Sequence, residues 1–161
     1  LMLSATVTQM IMNSYEEAIA IMPQLTGFIP MLTGTGGNCG SQSSTLVIRG
    51  LAVGEIEFRD LLKVIWKEMR VAVCISLVLA VVNGIRIIIM GQGDVLLALT
   101  IGITMACTVI IAKIVGCTLP LIAGKVGLDP AIMATPLIST LVDISTISVY
   151  FAIISMVFRL G

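Results

Sequence analysis

One carboxylate stands in the middle of the last apolar stretch of this chain. Residues 129–158 read as a single long helix, with Asp143 near its centre among Leu, Ile, Val and Met. An Asp at the centre of a membrane helix costs roughly 2.5–3.5 kcal/mol on insertion scales, so it faces protein or water and not lipid. Helical spacing puts Pro136, Ser139, Thr140, Thr146 and Tyr150 on the same side as Asp143. A polar stripe on an otherwise apolar rod is the pattern of a helix that lines an ion path. The competing reading is a structural ion pair inside the bundle, for which Lys113 is the evident partner.

The second polar constellation lies in residues 30–45, Pro-Met-Leu-Thr-Gly-Thr-Gly-Gly-Asn-Cys-Gly-Ser-Gln-Ser-Ser-Thr. No strand precedes these glycines and no Gly-Lys-Ser/Thr follows them, which excludes a phosphate loop; the spacing is not that of a dinucleotide fingerprint either. In a membrane helix such glycines serve packing. Gly36, Gly40 and Ser44 recur every four residues and let another backbone approach, while Gly34, Asn38, Gln42, Thr45 and Arg49 fall along a different face. Distorted backbone and bare amides at membrane depth are tolerated where they are buried or line a wet cavity. A helix seam with no further role is the alternative.

Composition limits what can position these groups. The 161 residues are 58% hydrophobic and 11% charged, with a mean hydropathy of +1.13, whereas soluble domains carry about 25% charged residues. At about 20 residues per span the chain has room for five helices and little else. Strand-like alternation over about 10 residues, the mark of a membrane barrel, does not occur. Nine basic and nine acidic residues cancel, leaving no electrostatic footprint for a nucleic-acid partner. Cys39, Cys74, Cys107 and Cys117 form no Cys-x-x-Cys pair and there is no His, so a zinc or haem site is not expected. The opening residues show no cleavable signal pattern, and an apolar Leu1 suggests a boundary within a longer chain.

Taken in order, residues 1–20 predict a short apolar helix ending in Glu16 and Glu17, either a solvated helix end or a vestibule that attracts cations. The second span covers 23–51. Five of the nine basic residues, Arg49, Arg59, Lys63, Lys67 and Arg70, cluster after it, which makes this connection cytoplasmic by the positive-inside rule. Glu68 belongs to the same charged stretch and reads as solvated, and Trp66 reads as an interface anchor. Spans over 71–90 and 95–123 follow, joined by an outer turn at 91–94, and Pro120 is expected to kink the fourth helix. Lys113 there has three options: a carboxylate, backbone carbonyls, or snorkelling to the inner interface. The return loop 124–130 leads into the fifth helix, where Pro136 is expected to break the ladder one and a half turns in. The N-terminus is then inside and the C-terminus outside.

Pro30-Met-Leu-x-Gly-x-Gly-Gly-Asn-x-Gly-x-Gln42 with Arg49-Gly-Leu-Ala, and Asp129-Pro-Ala with Pro136-Leu-x-x-Thr-Leu-x-Asp143, resemble the membrane domain of the MgtE magnesium channels and transporters, to which solute carrier family 41 is related. The resemblance covers essentially the whole chain, residues 1–161, as one transmembrane domain. It implies an all-α, polytopic subunit of five transmembrane helices in the cell's inner (plasma) membrane. Two such subunits would form a homodimer, with the pore on the two-fold axis between the second and fifth helices. It implies transport of a divalent cation, Mg2+ first and Mn2+ or Co2+ as alternatives, and no enzyme activity. Asp143 would be the central metal ligand, with Asn38, Ser139 and Thr140 beside it. Gly34, Gly37, Gln42, Thr135 and Pro136 would line the path, and Glu16 or Glu17 would stand at an acidic outer mouth.

Family members also carry an N-terminal helical domain and CBS domains that sense magnesium, which have no counterpart in these 161 residues. Thr135 stands where some relatives have Asn, and Cys39 adds a softer group near the path. Magnesium keeps its waters and is usually held by one or two carboxylates, which two symmetry-related copies of Asp143 would supply. Two further readings remain open. One is a membrane scaffold in which Asp143 pairs with Lys113. The other is an intramembrane enzyme using a Ser with Lys113.

Overall fold

The computed structural model describes residues 2–89, 95–133 and 135–158. Among these the chain is helical, and no strand occurs. Six α-helices are present: α1 (Met2–Ser14), α2 (Glu16–Ile21), α3 (Ile29–Ala52), α4 (Leu61–Ile89), α5 (Val95–Val126) and α6 (Thr135–Phe158). Short 3-10 turns at Pro23–Phe28, Phe58–Asp60 and Pro130–Met133 lead into α3, α4 and α6. Among the described residues three segments, Phe58–Ile89, Val95–Val126 and Pro136–Phe158, are long and apolar enough to cross a membrane. At 1.5 Å per residue the 24-residue α3 is also about 36 Å long, but its glycines and amides dilute its apolar character.

Several boundaries differ from the sequence expectation. The first helix is interrupted at Tyr15, whose ring stacks on Phe151 of α6 at 4.8 Å between centroids. The helix that carries the expected third span begins at Leu61, because the amphipathic entry and the apolar run are continuous. Helix α5 continues through Pro120 to Val126. The last stretch is not a single helix from Asp129. The Asp129 carboxylate accepts a hydrogen bond from the Ala131 backbone N–H at 2.9 Å, a 3-10 turn follows, and α6 starts at Thr135. Pro136 therefore lies in the first turn, where the missing N–H removes no helical hydrogen bond; the expected mid-helix break is absent. The expected outer turn at 91–94 lies outside the described residues.

Small residues decide how the bundle closes. A Cβ on Gly116 of α5 would stand 2.2 Å from the Gly40 carbonyl oxygen of α3, so these two helices meet backbone to backbone. A Cβ on Gly36 would meet Val142 at 2.7 Å and Thr108 at 2.8 Å, and one on Gly40 would meet Ile138 at 2.9 Å. These contacts seat α3 against α5 and α6 together. One apolar core, around Leu25, Leu32, Ile101, Tyr150 and Phe151, fills the end nearest α2. A second, around Val47, Cys117 and Leu121, fills the end nearest the charged connection.

Candidate cation site

Helix α3 has two faces. Leu32, Gly36, Cys39, Gly40, Ser43, Ser44 and Val47 are buried against the neighbouring helices. Gly34, Asn38, Gln42, Thr45 and Arg49 are exposed, as their spacing predicts. A Cβ on Gly34 would meet nothing within 4 Å, whereas Gly37 turns toward Ser139, whose Oγ lies 3.9 Å from such a Cβ. The exposed face of α3 borders a groove of about 720 Å³ lined by Asn38, Ser41, Gln42, Thr45 and Lys113, together with Leu46, Val71 and Ile75. A helix at membrane depth that leaves amides and hydroxyls uncovered needs water or protein against them.

Asp143 stands on α6 and is partly exposed; among the described residues its carboxylate makes no ion pair and no hydrogen bond. Its level is fixed by the seam. Gly36 opposes Val142 and Thr146, and Gly40 opposes Ile138 and Val142. The two helices therefore run antiparallel, and Asn38 falls within about a turn of Asp143 along the bundle. Ser139 is half-buried beside Gly37. Thr140 is half-buried and its hydroxyl donates to the Pro136 carbonyl at 2.9 Å. Pro136 is exposed at the start of α6, and the Thr135 side chain lies outside the described residues. Among the described residues no three His, Cys, Asp or Glu side chains gather into one cluster.

Two members of the expected polar stripe belong to the packing. Thr146 is buried against Gly36. Tyr150 is fully buried, and its hydroxyl donates to the Leu25 carbonyl at 2.8 Å, tying the turn before α3 to α6. Glu16 and Glu17 are exposed in the first turn of α2. They adjoin Tyr15, which stacks on Phe151, eight residues or about 12 Å beyond Asp143 along α6.

Of the three options open to Lys113, the structure shows a carboxylate, but that of Glu68 and not of Asp143. Its ammonium lies 3.1 Å from Glu68 Oε2, and the side chains are only 3% and 8% exposed. The Ser43 hydroxyl donates to the same Glu68 oxygen, so α3, α4 and α5 are joined at one point. Glu68 is thus a buried partner and not part of the solvated face, and the pairing of Asp143 with Lys113 is absent. The sequence carries a signal for this. Glu68, Ala72, Ser76 and Asn83 form a small and polar stripe on one side of α4, all buried, while Lys63, Lys67 and Arg70 point elsewhere and are exposed.

A helical bundle with three segments long and apolar enough to cross a membrane, a glycine seam and an uncovered amide face defines an integral membrane protein. The family model for MgtE, described as a divalent cation transporter, matches residues 29–153. The chain belongs to the MgtE family. Magnesium transporter MgtE of Thermus thermophilus is 34% identical over 157 residues, covering 95% of this chain and 34% of that protein. The proteins of the same name from Bacillus subtilis and Enterococcus faecalis are 36% and 33% identical, over 89% and 94% of this chain. The chain spans about a third of the length of these relatives.

Proposed function

We propose that this chain forms the membrane path of a divalent-cation transporter, with Mg2+ as its substrate and Asp143 as the central ligand. The observation that carries the proposal is the pairing of an exposed polar face on α3 with a partly exposed, unpartnered carboxylate at the same level on α6. A lone carboxylate at that depth is costly unless a cation or water meets it. One subunit supplies a single such group, and magnesium usually takes one or two carboxylates with water completing its octahedron. A second copy related by a two-fold axis would cover the bare face of α3 and bring a second Asp143 to the ion. Asn38, Ser139 and Thr140 would border the site through its water shell. Gly34, Gly37, Gln42, Thr135 and Pro136 would line the route, and Glu16 or Glu17 would gather cations at the outer mouth. Manganese and cobalt tolerate the same oxygen donors.

The scaffold reading loses its support because Lys113 is already committed to Glu68. The deciding experiment is uptake of Mg2+, Mn2+, Co2+ and Ca2+ into proteoliposomes by the parent protein and by Asp143→Asn. We expect flux in the parent and its loss in the variant, with both proteins eluting at the same size. Undiminished flux after neutralising Asp143 would overturn the assignment.

A further inference from the structure

The buried Glu68 and Lys113 pair lies beside the polar face of α3. Lys113 lines the groove that holds Asn38, Ser41, Gln42 and Thr45. It also lines a second groove, of about 580 Å³, together with Glu68, Arg49 and Lys67. Lys113 therefore borders both grooves, and its ammonium is engaged by the Glu68 carboxylate. Glu68 lies seven residues, or about 10 Å, along α4 from its start at the charged connection. Without its partner it would be a second negative charge within the bundle, nearer the charged connection than Asp143. Conduction needs binding strong enough to admit an ion and weak enough to release it. A further carboxylate along the route would hold a divalent ion longer.

We propose that Lys113 is a tethered counter-ion that keeps Glu68 from acting as a second cation ligand, and so sets how long a divalent ion dwells on the inner half of the route. The consequence for flux rests on the transport reading; the consequence for binding does not. Lys113 acts on the ion only through Glu68, which makes it a positioning residue.

The test counts Mn2+ bound to the purified chain by electron paramagnetic resonance, in an Asp143→Asn background that removes the central ligand. Adding Lys113→Gln should create one further Mn2+ site per chain, and adding Glu68→Gln to that variant should abolish it. In the Asp143-containing protein, Lys113→Gln should lower the half-saturating Mg2+ concentration and the maximal flux by roughly tenfold each, and Glu68→Gln should restore both. An unpartnered buried carboxylate is destabilising, so Lys113→Gln is also purified with and without Mn2+. Recovery only with the ion supports the proposal, because the ion then replaces the ammonium. If it is recovered in neither condition, Lys113→Met repeats the comparison, and failure of both variants even with Mn2+ overturns the proposal. A Lys113→Gln chain that folds and gains no Mn2+ site overturns it as well. Gain of that site in a protein whose parent carries no flux would refute the transport reading alone. Flux that depends on Asp143, with no site gained, would refute the counter-ion alone.

Discussion

At the scale of single residues, three polar side chains at membrane depth have three different fates. Among the described residues Asp143 is left without a protein partner, Glu68 is closed off by Lys113 and Ser43, and Tyr150 is satisfied by a backbone carbonyl. Each predicts a different response to a small change. Asp143→Glu keeps the charge but advances it by one methylene, so flux should fall without vanishing and the order among Mg2+, Mn2+ and Co2+ should shift. Competition uptake in proteoliposomes reads both effects. Tyr150→Phe strands the Leu25 carbonyl in the core and should lower stability by about 1–3 kcal/mol, the cost of an unsatisfied buried acceptor. A drop in melting temperature, with flux per folded molecule unchanged, is the expected measurement. Asp143 could be found from sequence because a lone carboxylate in an apolar run has no local company. Glu68 was hidden among charged neighbours that are solvated, with its partner 45 positions away on another helix; only its register with Ala72 and Ser76 sets it apart.

At the scale of elements, α3 concentrates the argument, since one helix carries both the packing seam and the bare face. Two glycine substitutions separate them. Gly116→Ala would drive a methyl group into the Gly40 carbonyl, where backbone cannot yield as a side chain does. It should cost about 1–3 kcal/mol or more, as overpacking does, and thermal unfolding in detergent should show it. Gly34→Ala meets open space and gains about 0.5–1 kcal/mol of helix stability. It should leave folding intact and reduce flux, because the added methyl narrows the proposed route. The seam was legible because small residues every four positions have one physical use in a membrane helix. The element ends were less so. The break at Tyr15 and the turn at Pro130–Met133 are set by contacts with Phe151 and by the Asp129 cap, which periodicity does not encode.

At the scale of the whole molecule, charge is divided between the two ends of the bundle. Arg49, Arg59, Lys63 and Lys67 lie beside the α3–α4 connection, and Lys125, at the far end of α5, stands 4.0 Å over the Phe58 ring of the same connection. Glu16 and Glu17 lie toward the opposite end, past Phe151. On the proposed topology, the positive-inside rule would put the basic end in the cytoplasm. With the four native cysteines replaced by alanine, Lys63→Cys should react with a membrane-impermeant maleimide only from the cytoplasmic side, and Glu16→Cys only from the outside. Labelling of both from one side would reverse or dismantle this topology.

The contact between Gly40 and Gly116 has a mechanical consequence. Two helices that touch main chain to main chain have no compliant cushion of side chains between them, and the Ser43 hydroxyl rivets the same pair to α4 a single turn farther along. Helix α3 cannot bow away from α5 without tearing both fastenings, so it travels with α4 and α5 as one stave. Any widening of the proposed path would then come from whole staves tilting against one another. Distances between spin labels on α3 and α5 of one chain should stay constant, while those between the two chains of the proposed dimer should change.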